Sequence, residues 1–151
     1  MRSSSWTDPA PREGLRRILV AYDGSESSAR AVQFALHGLA GPATELWIVY
    51  ASEAPRSVAE PRTEEEQGSE SSAIEESLRA IQSREDPGGR RIHVWVREGR
   101  PSAVVLAAAA EVNAELIVVG TRGLRGARRL VLGSVSNELV TRSGRPVAVI
   151  P

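Results

Sequence analysis

The feature that most constrains the fold is an alternation of short apolar runs with segments of helical periodicity. Five runs have the composition of buried strands: RRILVAY (Arg16–Tyr22), ELWIVYA (Glu45–Ala51), RIHVWV (Arg91–Val96), LIVVG (Leu116–Gly120) and PVAVI (Pro146–Ile150). Strands that are separated by helices and apolar on both sides form parallel sheets covered on both faces. The alternation therefore predicts a single-domain α/β protein with an open five-stranded parallel sheet and helices on both faces.

Helices are predicted between these strands. The first follows the polar turn DGSESS, places Ala29, Val32 and Leu36 on one apolar face, and is stopped by Gly41-Pro42. The second is predicted near Ser71–Ser83, before the turn-forming sequence DPGG.

The remaining segments complete the domain. Residues 52–70 are rich in Glu, Ser and Pro and are predicted to form a mobile acidic loop. The alanine-rich third helix begins at Pro101, a residue suited to a first helical turn, and a last helix begins at Gly133-Ser134. Residues 1–14 are predicted to be a flexible tail and residues 15–151 the folded domain.

The residue types that the chain lacks exclude several kinds of chemistry. It has no cysteine, which excludes disulfides, thiolate nucleophiles and Cys-ligated metals. All 19 basic residues are arginine, so a phosphate-binding or Schiff-base lysine is excluded as well. His37 and His93 fall on different predicted elements, which argues against a zinc site and favours structural or exposed roles.

Charge and hydropathy also limit the partners. The formal net charge is zero, so there is no global attraction to nucleic acid or to an anionic membrane. No apolar stretch is long enough to span a bilayer, and the first residues lack the apolar core of a signal peptide. A cytoplasmic protein is therefore expected. Arg125, Arg128 and Arg129 are expected on the solvated surface, with phosphate contact or a partner surface as alternatives.

Two segments at the ends of predicted strands indicate where a ligand binds. Open parallel sheets bind ligands beyond the carboxyl ends of their strands, where the strand order reverses. DGSESS follows the first strand and GTRG follows the fourth. If both segments form one site, the first and fourth strands are neighbours, which favours the strand order 3-2-1-4-5.

The glycine spacing after the fourth strand suits an anion. Gly120 and Gly123 are followed, after nine residues, by Gly133-Ser134. Glycines permit positive φ and let backbone N–H groups converge on an anion. The start of the last helix favours phosphate through its unpaired N–H groups, and the hydroxyls of Ser134 and Ser136 can reach phosphate oxygens.

The pattern Gly-x2-Gly-x9-Gly-Ser, between AELIVVG and RPVAVIP, resembles the nucleotide-binding signature of the universal stress protein family. ILVAYDGSESSARAV resembles the family's first strand and turn, and VREGRPSAVVLAAAAEVNAELIVVG its third-strand-to-fourth-strand unit. The resemblance covers about residues 15–151. It implies a Rossmann-like domain of the ATP-binding subgroup, a regulatory role in the stress response, ATP with Mg²⁺ as ligands, and a homodimer formed through the fifth strand, Pro146–Ile150.

The resemblance also implies which residues contact the nucleotide. Asp23 matches the acid that lies against the nucleoside or its Mg²⁺, and the backbone of Ala21, Tyr22 and Ala51 matches the lining of the adenine. The ribose and phosphate contacts match Gly120, Arg122, Gly123, Gly133, Ser134, Val135 and Ser136. Glu115 stands where the family commonly has Asp.

Other roles stay open at the level of sequence. One alternative is that Asp23 and Ser25 cap the first helix and have no further role. For Gly133-Ser134 the same alternative is capping of the last helix. A slow ATPase would use Asp23, the one evident base, but no catalytic residue is assigned. A nucleotide-independent dimeric interaction module is a further alternative. A NAD-type domain is disfavoured because GTRGLRG lacks the Gly-x-Gly-x-x-Gly spacing and follows the fourth strand.

Overall fold

A computed structural model of the chain describes residues 14–52, 64–86, 88, 91–121 and 132–151. The tail predicted over residues 1–14 therefore lies outside the described residues except for Gly14. The same holds for five residues with predicted or alternative ligand roles: Arg122, Gly123, Arg125, Arg128 and Arg129.

Strands and helices alternate along the chain as the sequence predicts. The elements are β1 (Arg17–Tyr22), α1 (Glu26–Phe34), β2 (Glu45–Ser52), α2 (Glu64–Glu85), β3 (Ile92–Glu98), α3 (Pro101–Glu111), β4 (Leu116–Gly120), α4 (Ser134–Arg142) and β5 (Val147–Ile150). A π-helical turn (Ala35–Leu39) continues α1. The five strands form one parallel sheet in the order β3-β2-β1-β4-β5, which confirms the predicted Rossmann-like α/β fold.

The strand order determines which face each helix covers. From β1 the chain moves to β2 and β3 in one direction, and then returns past β1 to β4 and β5 in the other. Because crossovers between parallel strands are right-handed, the two directions put their helices on opposite faces. Accordingly, α1 and α2 pack against one face of the sheet, and α3 and α4 against the other.

The central strand β1 is buried on both faces. Ile18 and Val20 belong to the core under α1 and α2, whereas Leu19 and Ala21 belong to the core under α3 and α4. Ile18, Leu19 and Val20 are fully buried, which explains why this run is apolar without alternation. The core thus fixes β1 rigidly, and with it the turn that follows Tyr22.

Two sequence predictions about the helices are wrong. Residues 64–70, assigned to the mobile acidic loop, form the first turns of α2, which is 22 residues long. Ala29 is exposed, because the buried face of α1 is formed by Ser28, Ala31 and Val32, with Ala35 one turn further on. The acidic stretch was predicted to be a loop because it lacks the apolar periodicity that marks a helix. In α1 the buried face includes the polar residue Ser28, so the apolar residues alone indicated a different face.

Candidate functional site

The turn after β1 is held by a network of side-chain hydrogen bonds. Ser25 caps α1: its hydroxyl accepts a hydrogen bond from the backbone N–H of Ser28 at 3.2 Å. The Asp23 carboxylate accepts one from the backbone N–H of Ser25 at 2.9 Å, and the Ser28 hydroxyl donates to the Ser25 carbonyl at 2.9 Å. Gly24, between them, has φ +82°, a conformation that favours glycine. The network therefore places Asp23, half-buried, at the carboxyl end of β1.

Gly120, the last residue of β4, packs directly on the first turn of α1. A Cβ at this position would lie 2.5 Å from the Ser27 hydroxyl oxygen and 2.8 Å from the Ser28 backbone nitrogen. Gly120 is not among the described glycines with positive φ, so the close approach of β4 to α1 requires the glycine here. This contact brings the end of β4 against the turn that carries Asp23.

A backbone hydrogen bond between Gly133 and Thr121 joins the start of α4 to the end of β4. The Gly133 backbone N–H donates to the Thr121 carbonyl at 3.1 Å, and the Thr121 N–H donates to the Ile150 carbonyl at 2.8 Å. A Cβ on Gly133 would lie 3.0 Å from the Thr121 oxygen. The start of α4 is thereby fixed beside the carboxyl end of β4, with Gly133 in an extended conformation at φ −59°.

The first turn of α4 offers donors to a ligand. Gly133 is the N-cap, and the intrahelical hydrogen bonds begin with the Asn137 N–H, which donates to the Gly133 carbonyl. The N–H groups of Ser134, Val135 and Ser136 precede it and have no acceptor within an α-helix. Ser134 is exposed, whereas Ser136 is buried and its hydroxyl donates to the Gly133 carbonyl at 2.9 Å. Only Ser134 presents an exposed hydroxyl from this turn.

The positions expected to line the adenine lie at the same edge of the sheet. Ala21 and Ala51 are the penultimate residues of the neighbouring strands β1 and β2. Ala21 belongs to the core under α3 and α4, and Ala51 packs against it. Tyr22 adjoins the opposite core, under α1 and α2. Burial of the Tyr22 phenol, with the nearby Asp23 carboxylate as a smaller cause, raises its pKa above the usual value of 10.0, so this side chain is neutral at physiological pH.

Nine of the predicted site residues lie within the described part of the chain, and the structure brings them to one edge of the sheet, at the carboxyl ends of the strands. These are Ala21, Tyr22, Asp23, Ala51, Gly120, Gly133, Ser134, Val135 and Ser136. β1 and β4 are neighbours, so this edge contains the point where the strand order reverses. Sequence reasoning missed Gly24 and Ser27: the Asp-Gly pair signals a positive φ, but nothing in the sequence reveals the contact of Ser27 with Gly120.

A concave region lies at the opposite edge of the sheet, at the amino ends of the strands. It is a cavity of about 400 Å³ between the π-helical turn and the end of α2, lined by Leu36, His37, Ala40, Gly41, Pro42, Thr44, Leu46, Glu85, Arg91 and Ile92. None of the described site residues lines it. His37 lies 4.0 Å from the Glu85 carboxylate there, and His93 stacks on Trp47 with ring centroids 4.0 Å apart. Neither imidazole therefore belongs to the edge that carries Asp23.

The described part of the chain has neither a ready-made metal site nor a helix that could span a membrane. It contains no group of three or more His, Asp or Glu residues that could hold a metal ion by themselves. None of its helices is both long and apolar enough to cross a membrane.

Comparison with known proteins identifies similar chains. The model of the Universal stress protein family matches residues 14–151. A universal stress protein of Thermus aquaticus is 35% identical over 142 residues, covering 90% of this chain and 98% of the relative.

Solved structures share the fold over the same range. The universal stress protein UspA from Lactobacillus plantarum superimposes with a TM-score of 0.73 at 20% identity, covering 91% of this chain and 99% of the other. A universal stress protein solved in complex with cAMP superimposes with a TM-score of 0.67 at 29% identity, covering 91% of this chain and 98% of the other.

Proposed function

Since the chain belongs to the universal stress protein family, we propose that it binds ATP at the carboxyl ends of β1 and β4 and acts as a nucleotide-dependent regulator of the stress response. A relative of 29% identity was solved in complex with cAMP, which supports an adenine nucleotide as the ligand class. The proposed compartment is the cytoplasm.

The observation that carries this proposal is the close packing at the two described glycines of the Gly-x2-Gly-x9-Gly-Ser pattern. Gly120 lies against the first turn of α1, and Gly133 lies against Thr121. These contacts bring the first turn of α4 and the Asp23 turn to one edge of the sheet. Backbone N–H groups at a helix start bind phosphate without any lysine, which suits a chain that has none.

Asp23 suits a role as ligand of a nucleotide-bound Mg²⁺. Mg²⁺ usually takes one or two carboxylates and completes its shell with water and phosphate oxygens, so a single Asp is sufficient. One Asp23 oxygen accepts from the Ser25 N–H, which fixes the orientation of the carboxylate. A bound Mg²⁺ would neutralise phosphate charge at this position.

A regulatory role is supported better than a hydrolytic one. Hydrolysis requires a base or a positioned water. Neither imidazole of the chain lies at the edge of the sheet where Asp23 and Gly120 meet, and Asp23, the candidate base at that edge, is assigned to Mg²⁺ in this proposal. We therefore assign ATP a role as bound effector, and assign no catalytic residue.

Ser134 allows a test that leaves the fold intact. Ser134 is exposed and occupies the first helical position of α4, where an acidic side chain is favourable to the helix dipole. Ser134→Glu should keep the thermal stability of the wild type but weaken ATP binding by about tenfold or more, because its carboxylate repels the phosphates. Isothermal titration calorimetry measures the affinity.

The matched control is Ser134→Gln, which has the same size and no charge. It should bind ATP within about threefold of the wild type, since most of the phosphate contacts come from backbone N–H groups. A wild-type protein that does not bind ATP at millimolar concentration contradicts the proposed function. Equal losses in the Glu and Gln variants contradict a phosphate position at this turn.

A further inference from the structure

A cluster of four side chains joins the loop after β3 to α4. The Glu138 carboxylate accepts hydrogen bonds from the guanidinium groups of Arg100 and Arg142, the latter at 2.9 Å, and also from the Ser102 hydroxyl. Glu138 is four residues after Ser134, so it lies on the same face of α4, about 6 Å along the helix. The cluster is therefore one helical turn away from the proposed phosphate position.

The cluster carries more positive than negative charge. Two guanidinium groups face a single carboxylate, which leaves one positive charge in excess. Because the chain has no lysine and neither imidazole lies at this edge of the sheet, a side-chain cation for a phosphate here must be an arginine. The guanidinium group suits this role, since its planar fork can donate two hydrogen bonds to one phosphate.

Arg100 is better placed than Arg142 to reach a phosphate. It precedes α3 as its N-cap, in the loop at the carboxyl end of β3, and its side chain is 53% exposed. Arg142 lies in the last turn of α4, about 12 Å along the helix from Ser134. Of the two arginines, only Arg100 lies at the edge of the sheet where the strands end.

Glu138 can release Arg100 without losing all its partners. The Glu138 side chain is only 22% exposed, so leaving its charge unpaired would be unfavourable. Arg142 and Ser102 remain bonded to it when Arg100 moves away. The second guanidinium therefore makes an exchange of Arg100 between two anions feasible.

We propose that Arg100 determines specificity for nucleoside polyphosphates: it leaves Glu138 and pairs with the terminal phosphates of ATP, while Glu138 keeps Arg142. This inference rests on the proposed binding of ATP at the start of α4. AMP lacks the β- and γ-phosphates and gains nothing from the exchange. The chain thus distinguishes ATP from AMP through a residue outside the glycine pattern.

The test is the ratio of ATP to AMP affinity, measured by calorimetry on the full chain with Mg²⁺. Arg100→Gln should lower ATP affinity about tenfold and AMP affinity less than about twofold, because a charge-assisted hydrogen bond is lost from the complex with ATP alone. Arg142→Gln is the matched control, since it removes the same charge from the same carboxylate. Because Glu138 then keeps Ser102 alone when Arg100 moves away, Arg142→Gln should lower ATP affinity less than Arg100→Gln does, by about threefold, and change AMP affinity by less than about twofold.

Two further variants separate this role from a structural one. Arg100→Lys keeps the charge without the fork and should recover part of the ATP affinity. Glu138→Gln frees Arg100 and should raise ATP affinity about threefold relative to AMP affinity. If Glu138 only stabilises the fold, the same substitution should lower ATP affinity. If Arg100→Gln does not fold, as judged by circular dichroism, these two variants decide the question.

The possible failures are distinguishable. An unchanged affinity ratio in Arg100→Gln, or an equal change of the ratio in Arg142→Gln, overturns the role of Arg100 and leaves the proposed function standing. A wild-type protein that binds neither nucleotide overturns the proposed function, and the role of Arg100 with it.

Discussion

Gly120 shows at the scale of a single residue how the fold creates the site. The contact between this glycine and the first turn of α1 leaves no space for a Cβ, since the nearest atoms include backbone of Ser27 and Ser28. These backbone atoms belong to the capped turn that positions Asp23. A change at Gly120 therefore affects stability before it affects any ligand.

We expect Gly120→Ala to lower the free energy of unfolding by about 3 kcal/mol, because β4 and α1 must separate to admit the methyl group. Urea unfolding followed by circular dichroism measures the change. Gly14→Ala is the control: a Cβ on Gly14 has nothing within 4 Å, and the change should stay within about 0.5 kcal/mol. Equal stability of the two variants would show that the contact at Gly120 can relax.

Asp23→Asn tests the role of its carboxylate in holding Mg²⁺. An Asn side-chain oxygen can still accept the hydrogen bond from the Ser25 N–H, so the turn should persist. With Mg²⁺ present, ATP affinity should fall about tenfold, because the charged metal ligand is lost. With EDTA present, the ATP affinities of wild type and variant should differ by less than about twofold. An equal loss under both conditions would assign Asp23 to the nucleoside and not to the metal.

The glycine pattern was predictable from the sequence, but the physical reason for two of its members was not. Gly120 was expected, with Gly123, to permit positive φ, yet it is not among the described glycines with positive φ. Gly133 was expected to open the last helix, and it is the N-cap of α4 with φ −59°. Both are required by close approach to backbone from elsewhere in the fold, a contact that local sequence cannot reveal. Positive φ occurs instead at Gly24, next to Asp23.

At the scale of elements, the strands were more predictable than the helices. Every strand is a dense apolar run, so its position follows from composition. The first turns of α2 were mistaken for a loop because EEEQGSE lacks apolar periodicity. That helix is anchored further along, where Ile74 and Leu78 enter the core. The anchored part therefore lies within the predicted segment, and α2 begins seven residues before it, at Glu64, without an apolar pattern of its own.

Glu115 ties the start of β1 to the start of β4. Its carboxylate accepts hydrogen bonds from the backbone N–H groups of Arg16 and Arg17, the latter at 3.1 Å. These bonds are the main cause that lowers the pKa of Glu115 below its ordinary value of 4.5; the charges of the two arginines add to the effect. The folded protein therefore binds a proton at Glu115 less readily than the unfolded chain does.

Glu115→Gln should consequently lower stability at neutral pH but not in acid. The carboxylate stabilises the fold above pH 4.5, and its contribution disappears as the pH falls through the lowered pKa of the folded state. Urea midpoints of wild type and variant should differ at pH 7 and converge below pH 4.5. Glu45→Gln, at the same edge of the sheet, is the control. A difference that persists in acid would contradict a contribution from the charge.

At the scale of the whole molecule, the strand order was predicted from the assumption that the two segments DGSESS and GTRG form one site. The structure confirms the order, since β1 and β4 are neighbours. The same topology makes β5 an outermost strand of the sheet, paired with β4 on one side, and all four of its residues are half-buried. An apolar edge strand with free backbone groups is prone to pair with another chain. This supports the proposal of a homodimer formed through β5.

The backbone of β5 offers a specific test of that dimer. The carbonyls of Pro146 and Ile150 accept hydrogen bonds from β4, at 3.0 and 2.8 Å. Because the backbone groups of a strand alternate in direction, the N–H groups of Val147 and Val149 point away from β4. Val149→Pro removes one of these outward donors and leaves the pairing with β4 in place.

We expect wild type to be a dimer and Val149→Pro to be a monomer at micromolar concentration, as measured by light scattering coupled to size exclusion. Far-ultraviolet circular dichroism should be unchanged, since the proline replaces a residue whose N–H does not bond within the sheet. Val149→Ala is the control: it shortens the side chain, keeps the N–H, and should stay dimeric. A monomeric wild type, or a dimeric Val149→Pro variant, would contradict pairing through the free edge of β5.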